Sequence, residues 1–249
     1  MIKGFFAAFA MYSKIPVPQV KWDDNTLKYA LCFFPLVGAV TGGAAMLFFM
    51  LLAKTAVLRA AVMTVLPAAI TGGIHLDGLM DTSDALASYQ SREKKLDIMS
   101  DPHTGAFAVI TLVCYLLLCF ALWCEGTDNA GALCISAGFV LSRAISAFCL
   151  VLFKKAKNDG LAALFANSAN KLAVGFAMAF YMVLACAFMV YVKGLTALCP
   201  IALAFAAAVV YGLAAKKNFG GVTGDTAGWF LCWCEFLILA GTILGDKIL

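Results

Sequence analysis

The chain has 249 residues, of which 63% are hydrophobic and 13% charged, with a formal net charge of +4. So few polar side chains cannot cover a water-soluble globule of this size, and a mean hydropathy of +0.94 places the chain in a membrane. The small positive excess sits in loops and gives no argument for a nucleic-acid partner.

Residues 1–11 form a Phe-rich run with Lys3, too short for a secretory signal with a credible cleavage site, and are expected to lie at the membrane interface. A transmembrane helix needs about 20 apolar residues to cross about 30 Å of hydrocarbon. Residues 29–53, 104–124, 172–192 and 194–215 contain no Asp, Glu, Lys or Arg and read as spans. Residues 60–74 form a shorter apolar run that needs its flanks to complete a crossing, while 130–153 is interrupted by Arg143 and 226–245 by Glu235. The expected fold is an all-α, polytopic integral membrane helical bundle of about seven transmembrane helices. Residues 1–249 are expected to form a single membrane domain.

After the second apolar run comes the most informative stretch, Gly72-Gly73-Ile74-His75-Leu76-Asp77-Gly78-Leu79-Met80-Asp81-Thr82-Ser83-Asp84. If it is helical, spacings of four and three residues put Asp77, Asp81 and Asp84 on one face. Three carboxylates so close together repel one another unless a divalent cation sits among them, and hard oxygen ligands favour magnesium, manganese or calcium. His75 has three readings: orienting a carboxylate, acting as a base, or capping the segment at the interface. The motif opens the one long polar loop, 75–103, where function concentrates. The loop's end, residues 92–105, reads as a short charged helix stopped by Pro102 and followed by a turn at Gly105. Asp101 there either completes the metal cage or serves as a turn or N-cap aspartate.

Arg143 and Glu235 fall inside spans, where a charge requires a partner or a water-filled cavity. They either pair with each other, or Arg143 binds a phosphate and Glu235 a hydroxyl or a metal-bound water. Just before the last span, Gly220-Gly221-Val222-Thr223-Gly224-Asp225-Thr226 is a glycine-rich turn at a helix start. It either offers backbone N–H groups to phosphate oxygens or is a tight connection. Lys216 and Lys217 beside it suit phosphate or lipid headgroups. The ten cysteines include no Cys-x-x-Cys pair and read as small hydrophobes; Cys232 and Cys234 should point to different helix faces.

Basic residues sort by side in this topology. One side collects Lys3, Lys14, Lys21, Lys28, Arg92, Lys94, Lys95, Lys154, Lys155, Lys157, Lys171, Lys216 and Lys217; the other has Lys54, Arg59, Lys193 and Lys247. The amino terminus and the polar segments 75–103 and 216–226 are therefore expected on the cytoplasmic face.

These motifs together resemble those of the cobalamin synthase (adenosylcobinamide-GDP ribazoletransferase) family. Residues 72–84 are similar to its Gly-Gly-x-His-x-Asp-Gly-x-x-Asp-Thr-x-Asp signature. Lys14-Ile15-Pro16-Val17-Pro18 is similar to its amino-terminal basic element, and Phe34-Pro35-Leu36-Val37-Gly38 to its first-span motif. Ile98-Met99-Ser100-Asp101 with Gly105, Ser142-Arg143, and residues 220–226 follow in the family's order. Two positions depart from the pattern: His103 stands where an arginine is expected, and Ala108 where a second glycine is. The resemblance implies joining of adenosylcobinamide-GDP to α-ribazole or its 5′-phosphate, with release of GMP, in the cytoplasmic (inner) membrane of a prokaryote. It implies Mg2+ held by Asp77, Asp81, Asp84 and Asp101, with His75, Asp81 and Asp84 in catalysis. Gly220, Gly221, Gly224, Asp225, Arg143 and Lys14 are the substrate-binding set. The partners are these small molecules and the lipid bilayer, and a homo-oligomer is compatible with the reading. Spaced aspartates at a helix end also suit a membrane prenyltransferase or a CDP-alcohol phosphotransferase. Arg143 and Glu235 suit an ion-coupled transporter.

Overall fold

The computed structural model describes residues 1–156 and 160–248; Lys157, assigned above to the basic side, lies outside them. The helices are α1 (Ile2–Tyr12), α2 (Asp24–Leu27), α3 (Phe34–Leu51), α4 (Ala56–Thr71), α5 (Ile74–Ala87), α6 (Arg92–Ile98), α7 (Ala106–Glu125), α8 (Asn129–Leu152), α9 (Leu161–Ser168), α10 (Lys171–Lys193), α11 (Leu198–Phe219) and α12 (Gly224–Ile248). Several starts are set by side chains that accept an orphan N–H of the first turn: Asp23 for α2, Ser91 for α6, Asp128 for α8 and Asn170 for α10.

Five helical runs are long and apolar enough to cross a membrane, or six with the bent pair α4–α5 taken as one crossing. One of the five, Lys171–Phe219, is 49 residues long, more than twice the ~20 that a bilayer needs. It is broken at Gly194, whose φ of 62° and ψ of −143° lie far from helical values. The break leaves two legs, α10 of 23 residues and α11 of 22. Counted by legs, the crossings are α3, α4, α7, α8, α10, α11 and α12, matching the seven apolar runs of the sequence.

The polar segment 75–103, expected as a loop, is mostly helical. Gly72 (φ 69°) and Gly73 (φ 79°) are successive left-handed residues that stop α4 and turn the chain by 95° into α5. A side chain at Gly72 would also strike the stem of Lys14, whose own N–H donates to Ile70 O at 2.8 Å. Lys14 therefore lies against this turn.

At the centre runs α8, with 78% of its apolar window buried against 22% for α7. Its contact with α3 is close because Gly38 and Gly42 present no side chain. A Cβ at either would sit 2.2 Å from Phe139 O or 2.4 Å from Ser136 O, the small-residue packing by which membrane helices associate. The connections gather as the charge count requires. Lys28 O accepts from Asn170 N–H, Arg92 donates to Lys217 O, Lys95 to Asn218, and Val222 N–H to Lys154 O, all at one end. Lys193 faces Asp128 at 3.6 Å at the other.

Candidate active site where α5 meets α12

The two motifs that lie furthest apart in sequence meet in one crossing. A Cβ on Gly78 would stand 2.6 Å from Asp225 O, and one on Gly228 would stand 3.2 Å from His75 O, so the helices touch backbone to backbone. Thr223 and Thr226 fix the start of α12 with a reciprocal cap. Thr226 N–H donates to Thr223 Oγ1 at 3.1 Å, and Thr223 N–H donates to Thr226 Oγ1 at 2.8 Å. The first turn then carries Asp225, favoured there by the helix dipole. The glycines before it serve the backbone: Gly220, at φ 78°, ends α11, and Gly221 lies against 154–156, where a Cβ would be 2.4 Å from Lys154 O. The wall that faces the site is made instead by Val222, Thr223, Gly224 and Asp225.

On α5, His75, Leu79, Thr82 and Ala85 are buried, while Asp77, Asp81 and Asp84 share the more open face, as their spacing predicts. Asp81 stands beyond the bend at the rim of the bundle. Burial, followed by the charges of Asp77, Asp225 and Asp84, pushes its carboxyl up to about 7. Asp84 has a further task. Its Oδ2 accepts Gly105 N–H at 2.6 Å and its Oδ1 accepts Ala108 N–H at 2.9 Å, so it caps α7 from a neighbouring helix. Asp101 does not join this group. It is half exposed and accepts the N–H of His103 at 2.9 Å, with the His103 ring 2.7 Å away, a turn that holds its carboxyl below the usual range.

Of the four carboxylates expected to hold one or two ions, Asp77, Asp81, Asp84 and Asp101, the last is instead engaged in its own turn. Among the described residues, no three His, Cys, Asp or Glu side chains stand close enough to enclose a metal. The donor chemistry still fits a hard divalent cation, with Asp225 in place of Asp101. Four mutually repelling carboxylates, one of them driven to hold a proton, are relieved by such an ion, and one or two suffice when phosphate and water oxygens complete its shell.

Beside the crossing lies a cavity of about 410 Å³, bordered on its polar side by His75, Asp77, Lys155, Thr223, Gly224 and Asp225. Its other wall comes from α1, α3, α8 and the turn before α3, with Tyr12, Leu31, Phe34, Ser146, Ala147 and Leu150. Tyr12 and Ser146 carry no motif in the sequence; they reach the site only because α1 and α8 pack around it. His75 is buried and its Nε2 has no hydrogen-bond partner among the described residues.

Deeper in the bundle, Arg143 is fully buried and pairs with Glu235 through Nη1 and Oε1 at 2.6 Å, with Ser142 Oγ donating to the same oxygen at 3.3 Å. The pairing reading of these two residues holds. Arg143 borders a second, 30 Å³ cavity with His75 and Glu235 rather than the larger one. Its Nε and Nη2 have no partner among the described residues, and that space suits ordered water. The cysteines are all free. Cys232 donates to His75 O from one face of α12, while Cys234 packs into a different cluster from the other.

The family profile described as cobalamin-5-phosphate synthase matches residues 4–243. An adenosylcobinamide-GDP ribazoletransferase of Lachnoclostridium phytofermentans is 40% identical over 251 aligned residues, covering 100% of this chain and 96% of the relative. Relatives of the same name are 32% identical in Clostridium perfringens (97% and 98% covered) and 30% identical in Treponema denticola (96% and 96%). No solved structure matches the chain. The aligned regions hold both motifs that meet at Gly78 and Gly228, and the chain belongs to the cobalamin-5-phosphate synthase family.

Proposed function

We propose that this chain is an adenosylcobinamide-GDP ribazoletransferase, a membrane enzyme that joins α-ribazole or its 5′-phosphate to adenosylcobinamide-GDP and releases GMP. The observation that carries the reading is the crossing at Gly78 and Gly228, which brings Asp77 and Asp225 to one cavity. In the reaction a ribose hydroxyl oxygen forms a bond to the phosphorus that carries the cobinamide. The bridging P–O bond breaks, and its electron pair leaves with GMP. The hydroxyl proton passes to Asp81, poised near neutrality at the rim, or to His75, buried on the same helix.

The donor chemistry of this rim suits Mg2+, and Asp77, Asp81 and Asp225 are the residues that would hold it. When bound, it neutralises charge on the diphosphate and on the leaving GMP. Asp84 holds the start of α7 against α5 and so keeps the carboxylate face in place. The glycine turn sets the first turn of α12, whose N-terminal dipole favours phosphate. The basic end of the bundle faces the cytoplasm of a prokaryotic inner membrane, since Lys and Arg are retained on that side.

Purified protein in detergent, given adenosylcobinamide-GDP, α-ribazole and Mg2+, should yield a cobalamin and GMP in equal amounts. Absence of both products overturns the assignment; inorganic diphosphate from prenyl donors or CMP from CDP-alcohols replaces it with another.

A further inference from the structure

We infer that the 410 Å³ cavity is the pocket for the base of the acceptor nucleoside, with the corrinoid donor held outside it; the inference rests on the reaction proposed above. Size is the first argument. Small-molecule pockets run from about 300 to 1,000 Å³, and 410 Å³ suits a nucleoside but not a corrin ring with its side chains and adenosyl group.

Chemistry then chooses between the two nucleosides in the reaction. Guanine presents a row of donors and acceptors along its edge, and burying them without partners is costly. The base of α-ribazole is a flat, methylated benzimidazole with one imine nitrogen to satisfy. The inner wall is matched to the second. Leu31, Phe34, Ala147 and Leu150 are all at most 5% exposed and offer no polar atom from their side chains. The Tyr12 and Phe34 rings lie 4.2 Å apart, making an aromatic face for a planar base.

Two hydroxyl-bearing residues interrupt that wall. Tyr12 is 8% and Ser146 4% exposed, and both border the cavity. Either can donate to a single imine nitrogen. The polar wall opposite, with Asp77, Thr223 and Asp225, then receives the ribose, so its hydroxyls point toward the rim carboxylates. The pocket is thus apolar where the base lies and acidic where the hydroxyl reacts.

The test measures α-ribazole binding alone, by fluorescence of its base, together with KM for each substrate. Ala147→Leu, which fills the inner end, should weaken α-ribazole binding and raise its KM by about tenfold or more. The KM for adenosylcobinamide-GDP should stay within about twofold, and a nucleoside of unmethylated benzimidazole should lose less than α-ribazole. Tyr12→Phe combined with Ser146→Ala should raise the α-ribazole KM by about three- to tenfold, the scale of one neutral hydrogen bond; this pair decides the matter should Ala147→Leu fail to fold. Unchanged α-ribazole affinity in these variants, or a rise in the donor KM instead, overturns the pocket assignment. Wild-type protein that binds α-ribazole without releasing GMP overturns the reaction while leaving the pocket standing.

Discussion

Two groups of charges interrupt the apolar body of this protein, and the fold treats them in opposite ways. Deep in the bundle, Arg143 and Glu235 are joined at 2.6 Å, with Ser142 donating to the same carboxylate oxygen. At the rim, Asp77, Asp81 and Asp225 are brought together, and Asp81 responds by holding its proton up to about pH 7. A buried pair that satisfies itself is what a membrane interior requires. A cluster of like charges where α5 and α12 cross backbone to backbone is instead suited to a ligand of opposite charge.

The largest effect expected of that contrast is at Asp81. Asp81→Asn keeps size and polarity but removes the charge, and it should lower GMP release by about a hundred- to a thousandfold, the range seen when a group that stabilises transition-state charge is removed. The protein should remain in the membrane at wild-type abundance. Measured turnover within tenfold of wild type would remove the rim from the chemistry.

Glu235→Ala breaks the other group and should act on folding. An Arg143 left buried without its partner costs about 3 to 5 kcal/mol, to be read as a lower melting temperature in detergent. Replacing both residues, Arg143→Met with Glu235→Leu, should recover most of the loss, since well-packed apolar residues often match a buried ion pair. If the double variant is stable yet turns over no substrate, the deep pair belongs with the active site and the contrast collapses.

Much of this was legible in the sequence, and the reasons are physical. Hydrocarbon thickness forces long apolar runs, so all seven crossings could be counted. The 3.6-residue period puts Asp77, Asp81 and Asp84 on one face, as found on α5. Lys and Arg sort by membrane side, so the ends of the helices that share a face could be assigned. What could not be read depends on distances between segments remote in sequence. Gly78 and Gly228 look like ordinary helix glycines until the structure shows α5 and α12 in contact through them. Asp84 gives no hint that it caps α7, 21 residues further on. The reciprocal cap of Thr223 and Thr226 has threonine where glutamate or glutamine usually stands, and the pair was read only as part of a glycine turn. Gly72 and Gly73 stand in the sequence only as the start of the motif, and the 95° turn they make into a helix is seen only in the structure.

A smaller effect follows from the proton on Asp81. With its carboxyl at about 7 in the absence of metal, a cation must displace that proton to bind. Apparent Mg2+ affinity should therefore fall as pH drops, flat above about 8 and approaching tenfold per unit once well below 7. Calorimetric titration from pH 8 to pH 6 measures it. The dependence should vanish in Asp81→Asn; a slope unaffected by that substitution would move the cation away from Asp81.

The smallest expected effect separates rim from turn at Asp101. Its carboxylate accepts the His103 N–H at 2.9 Å, and an asparagine oxygen can accept the same bond, so Asp101→Asn leaves the turn before α7 intact. What is lost is the attraction to a His103 ring that is 90% exposed, where solvent screens charge. Turnover should stay within about threefold of wild type, because a contact of this kind contributes at most about 1 kcal/mol. A fall of a hundredfold, with Mg2+ affinity falling in parallel, would mean that the turn opens on substrate binding and delivers Asp101 to the cation. The rim would then have four carboxylates from two helices and a turn, and the line between residues that shape the site and residues that act in it would have to be redrawn at Asp101.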